Sequence, residues 1–121
     1  MAGAKMDGAG IEKMKTLETA QNQLQRLHGL VEQMAMAVKN EQPAALYGAQ
    51  IRRAGSPLVG LLKGQFGMIS DQLAAMMVVA GRSGSDKVRL RSLRETVAQV
   101  RTALEIAVAR TIELHTAEDE H

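Results

Sequence analysis

The residues with the widest chemical repertoire in this chain are its three histidines, His28, His115 and His121. A zinc-binding or catalytic imidazole needs partners at fixed spacing, as in H-E-x-x-H, where two histidines and a carboxylate share a helix face. That spacing does not occur. Glu113 and His115 stand two apart, so a helix turns them to different faces. His28 falls beside an apolar stripe, where a half-buried flank residue is expected rather than a ligand. Ser56, Ser70, Ser83 and Ser85 read as helix caps or helix-surface residues, outside any nucleophile motif. The stretch "GLLKGQFG" lacks both the G-x-x-x-x-G-K-[ST] spacing and the preceding strand of a phosphate loop. Glu12, Glu18, Glu32, Glu95 and Glu105 read as a solvated face. Without cysteine there is no thiolate nucleophile or thiolate zinc site. The expectation is a non-enzymatic chain with no catalytic residue, no cofactor and no metal.

Basic residues form the next pattern. Lys87, Arg91 and Arg94 stand at i, i+4 and i+7, with Arg101 one heptad beyond Arg94. Such a stripe is a candidate polyanion contact, because cations on one helix face can track phosphates. Against it, the aromatic content is only 2%, essentially Tyr47 and Phe66, so almost nothing can stack on bases. The net charge of +2 is also close to balance. A solvated helix face is the favoured reading, and nucleic-acid binding is the alternative.

The elements that must carry these residues are helical. The 121 residues are 45% hydrophobic and hold two prolines, and Leu, Met, Ala, Gln, Glu, Arg and Lys dominate, all good helix formers. The spacing predicts a disordered head over 1–10, a single helical domain over 11–116 and a frayed acidic tail over 117–121. Helix A is expected from Ile11 to Lys39 on the stripe Leu17, Ala20, Leu24, Leu27, Val31, Met34 and Val38, which steps by three and four. Asn40 suits a left-handed cap and Pro43 a first helical position. Helix B is expected from Pro43 to Ala80, interrupted at "AGSP", where Gly55 is a natural stop, Ser56 an N-cap and Pro57 an N1 residue. Helix C is expected from Asp86 to Thr116, with Leu90, Leu93, Val97, Val100, Leu104, Ala107, Thr111 and Leu114 inward. The resulting object is an all-α, elongated antiparallel bundle of three long helices, or four if B breaks at Gly55–Pro57.

Two features go beyond a plain bundle. Gly60, Gly64 and Gly67 stand at i, i+4 and i+7 in "PLVGLLKGQFGMI" and would share one face of an unbroken helix B. Each weakens a helix by about 0.5–1 kcal/mol relative to alanine, so the pattern predicts a groove that admits another helix. The second feature is methionine. Met36 lies opposite the helix A stripe, and "LAAMMVVA" around Met76 and Met77 is apolar on every side. Flexible methionines suit adaptable contact surfaces. With Phe66 and Met68, these residues make up the predicted partner or oligomer interface.

Two resemblances bear on function. "GLLKG" followed by "QFG" resembles the H-x-L-K-G phosphoacceptor segment of histidine phosphotransfer domains, which are four-helix bundles. Leu62, Lys63 and Gly64 match, but Gly60 occupies the histidine position, so the resemblance implies a docking module without transfer chemistry. The layout of "LETAQNQLQRLHGLVEQM", the polar break "KNEQPAALYGAQ" and a following helical hairpin is similar to type III export chaperones, which implies capture of a partner's amphipathic helix. The opening "MAGAKMDGAG" lacks the apolar region of a secretory signal, and no run approaches the ~20 residues of a membrane span. The chain therefore reads as a cytoplasmic protein working through association. A homo-oligomeric scaffold or adaptor, dimer or higher, is the leading reading, and a helix-capturing chaperone or docking module is the alternative.

Overall fold

The computed structural model of the chain describes residues 5–82 and 84–117. Four helices pack against one another: α1 (Gly8–Lys39), α2 (Ala45–Leu62), α3 (Gly67–Gly81) and α4 (Asp86–His115). Each is a neighbour of the next, and α4 returns to lie along α1, closing an antiparallel four-helix bundle. Two-residue strands at Lys5–Met6 (β1) and Thr116–Ala117 (β2) pair antiparallel at its open end.

Capping explains most of the helix ends. The Asp7 carboxylate accepts from the Gly10 N–H at 2.7 Å, and the helix begins at Gly8 rather than Ile11. Residues 5–10, expected in an unstructured head, are thus a strand, a cap and the first turn of α1. Residues 1–4 and 118–121, the remainder of the expected head and tail, lie outside the described residues, as does Ser83. At the other end of α1, the Glu41 N–H donates to the Val38 carbonyl and the Gln42 N–H to the Ala37 carbonyl. That pair of bonds is a Schellman closure, and it places Glu41, not Asn40, in the left-handed region at φ 55°. Pro43 lies outside α2, ahead of the cap residue Ala44. Ser85 caps α4 by accepting from the Val88 N–H.

Helix B breaks, but not at "AGSP". α2 runs unbroken through Pro57, and the chain turns at residues 63–66 instead. The reason lies in the buried stripe. Gly48, Ile51, Gly55, Leu58 and Leu62 step by three and four along α2 and are all buried, while Arg53 and Pro57 are on the exposed side. Proline removes one backbone donor, and on an exposed face water can serve the orphaned carbonyl. Beyond Leu62 the stripe has no further core to cover. Gly64 and Gly67 weaken the helix there, and reversal at Phe66 lets Ile69, Leu73, Met76 and Met77 pack back.

The core is one cluster of Leu, Val, Ile, Met and Ala drawn from all four helices. The stripes expected on helices A and C are buried with three departures, one of them Ala107, which is half-buried. Ala37 rather than Val38 is buried in the last turn of α1, and Leu114 is 74% exposed. The exposure of Leu114 follows from helix length. α1 and α4 have 32 and 30 residues, whereas α2 and α3 have 18 and 15. At ~1.5 Å per residue, the long helices exceed either helix of the α2–α3 hairpin by ~18–25 Å, about three to five turns. The bundle is therefore four helices deep at one end and two at the other, where β1 and β2 meet.

Candidate association surface

Gly60 lies exposed on α2, Gly64 in the turn and Gly67 at the start of α3. The turn separates them onto different elements, so they form no single groove. A β carbon on any of the three would meet nothing within 4 Å. The glycines most closely approached are Gly48 by the Ala80 backbone, Gly55 by the Met77 side chain, and Gly10 by Met6 and His115. The signal for the first two was present in the sequence: both fall on the stripe with Ile51, Leu58 and Leu62, whereas Gly60 lies off it.

The predicted methionine surface divides as well. Met76 and Met77 are 1% and 8% exposed, in the core rather than at a surface, because the turn at 63–66 supplies the extra helix that their all-round apolar segment requires. Met36 is exposed, but it lies near the four-helix end, away from Phe66 and Met68. Those two do meet a second element. Phe66, Met68 and Ile69 at the hairpin tip face Ala103, Ile106 and Ala107 of α4 across an open groove of about 610 Å³, with Arg110 at its edge. Met68 is 85% exposed and Ile106 is 53% exposed.

Ile106 belongs to a larger set. Val88, Ile112 and Leu114 of α4 are also exposed, so α4 carries four of the nine large apolar side chains that face solvent among the described residues. Its outward line through Val88, Arg91, Glu95, Ala98, Thr102, Glu105, Ala109 and Ile112 is exposed throughout and mixes three charged residues with five apolar or small ones. This line lies off the inward stripe of α4.

The basic stripe is not a continuous cationic track. Arg94 grips Glu32 of α1 with two bonds of 3.0 and 2.7 Å, and those bonds hold the Glu32 carboxyl below its ordinary range. Lys87, Arg91 and Arg94 line one shallow site together with Leu90 and Glu95. Arg101 lies apart, in a separate site with Gln21, Gln25 and Glu105. Neighbouring arginines hold the α3–α4 connection together. Arg89 donates to Asp86 and to the Arg82 carbonyl, and Arg52 lays its guanidinium against Gly81 at the C-terminal end of α3, where the helix dipole favours a cation.

His115 has a role that the sequence did not foreshadow. Its Nε2 lies 3.0 Å from the Lys13 Nζ and its Nδ1 3.1 Å from the Asp7 carboxylate. An ammonium only donates, so Nε2 must accept and the ring proton points from Nδ1 to Asp7. With the Asp7 N–H donating to the His115 carbonyl, this contact ties the start of α1 to the end of α4. The partners are 108 residues apart, a separation that no spacing rule spans.

No family model, curated protein or solved structure matches the chain. No group of three or more His, Cys, Asp or Glu residues is placed to hold a metal ion among the described residues. No described helix is long and apolar enough to cross a membrane.

Proposed function

We propose that this protein is a non-enzymatic helical bundle that works by self-association, as a homo-oligomeric scaffold or adaptor, through the outer side of α4 and the adjoining hairpin tip. One observation carries the reading: exposed Met68 at the hairpin tip shares a groove with exposed Ile106 of α4, and Val88 and Ile112 are further exposed apolar side chains on the outer side of that helix. Scattered exposed apolar residues are ordinary, but a set concentrated on one element is the usual mark of an association site. Full burial of such a side chain contributes about 1.5–3 kcal/mol, and several together must outweigh the freedom lost on association.

The test is absolute mass in solution by light scattering, across a hundredfold dilution, for the natural chain and for Ile106→Glu. The reading expects a multimer that Ile106→Glu dissociates while helical content stays unchanged. A natural chain that is monomeric at every concentration ends it.

A further inference from the structure

The ring of His115 has a partner on each nitrogen, and both partners belong to the start of α1. Nδ1 lies 3.1 Å from Asp7 Oδ1, the same oxygen that accepts from the Gly10 N–H to cap α1. Nε2 lies 3.0 Å from the Lys13 Nζ. The residue is also fixed from behind. Its β carbon packs against Gly10, and its carbonyl accepts from the Asp7 N–H at 3.0 Å. The side chain is only 18% exposed, whereas Asp7 is 62% exposed.

We infer that His115 is a proton-operated clasp that exchanges partners instead of opening. Uncharged, the ring accepts from Lys13 and donates to Asp7, so α4 joins a cation and an anion of α1. Protonated, both ring nitrogens carry hydrogen and neither can accept. The bond to Lys13 is then lost, and two positive charges face each other across 3.0 Å. The lysine yields, because its ammonium rides on a flexible four-carbon stem while the imidazole is held. The Asp7 contact strengthens instead, since it becomes a charge-assisted pair at a helix C-terminus, where a cation is favoured. From α1, the charged groups in contact with the ring are Asp7 and Lys13. The nearest residue of β1 at Gly10 is Met6, and Thr116 of β2 is uncharged. On α4 itself, Glu113 stands two positions back and faces elsewhere, and Arg110 lies at the groove edge. Imidazole ordinarily takes up its proton near about pH 6.5, so the exchange belongs to the range of about pH 5 to 8. Acid leaves the ends of α1 and α4 joined, frees Lys13, and adds positive charge to the two-helix end of the bundle.

Nuclear magnetic resonance of the natural chain tests the exchange between about pH 8 and about pH 5. At the upper pH an Overhauser contact should join the Lys13 ε-methylene protons to the His115 ring. At the lower pH it should be gone, while the contact between the ring and the Asp7 β protons is kept. Lys13→Met should move the midpoint of the ring titration upward by on the order of half a pH unit, because a like charge is removed. Asp7→Asn, which still caps α1, should move it downward. A Lys13 contact that survives at the lower pH overturns the proposal, as does a midpoint indifferent to Lys13→Met. Loss of both contacts together would show a clasp that opens, and it refutes partner exchange equally. The first readout needs no variant, so it decides the matter even where a substitution disturbs folding.

Discussion

The backbone of Gly48 in α2 passes so close to Ala80 in α3 that a β carbon on residue 48 would lie 2.6 Å from the Ala80 carbonyl oxygen. A backbone oxygen held in a helix cannot swing aside as a side chain can. Gly48→Ala should therefore cost about 1–3 kcal/mol, as overpacking does. Gly60→Ala, with open space around it in the same helix, should instead gain about 0.5–1 kcal/mol from helix propensity. Urea denaturation of the two variants checks this pair of opposite signs.

Glu41 holds a left-handed conformation at the end of α1, which a side chain adopts at a cost and glycine does not. Glu41→Gly should stabilise the bundle by about 0.5–1 kcal/mol, read as a higher urea midpoint with an unchanged slope.

Pro57 interrupts no helix, yet α2 forgoes one backbone bond to accommodate it. Replacement by alanine restores the donor and removes the ring clash, a difference of about 3 kcal/mol in a helix interior. The freer unfolded chain offsets about 1 kcal/mol of that. Pro57→Ala should leave a net gain and a higher melting temperature. A loss would mean that the proline sets a bend the packing needs.

Asp7 ties its stabilising role to pH. Its carboxyl is held below the ordinary range chiefly by the Gly10 N–H, with the His115 hydrogen bond and the Lys13 charge adding, against partial desolvation. A lowered folded-state pKa favours the folded chain at pH values above the ordinary carboxylate pKa of about 4, and that advantage fades as pH falls through the folded value. Asp7→Ala should lower the melting temperature at pH 7, and the gap between variant and natural chain should narrow under acid. A gap that is constant from pH 7 to pH 3 would show that the carboxylate charge is irrelevant there.

Much of the fold was legible because burial leaves a periodic trace. Leu17, Leu24, Leu27, Val31 and Met34 on α1, and Leu93, Val97, Val100 and Leu104 on α4, are buried as their spacing indicates. The break in helix B was not legible in its position. Gly55, Ser56 and Pro57 supply every local signal for a new helix, but those signals are worth about 1 kcal/mol each. Continuous burial of Ile51, Leu58 and Leu62 outweighs them. The candidate surface was legible in part. Met68 is exposed and half-buried Phe66 lines the groove beside it, while Met76 and Met77 were drawn inward by the same displaced turn.

What the sequence by itself determined is the helical class, the inward faces of α1 and α4, and the polar connections. These follow from propensity and from a spacing that each helix obeys alone. What only the tertiary structure decided is where the middle of the chain reverses, which glycines are crowded, and how far α4 runs past the hairpin. Each of those depends on the relative lengths and register of helices distant in sequence. The Asp7–His115 contact shows the same limit: it exists because α1 and α4 align over their whole length, a condition set by packing and invisible to local pattern.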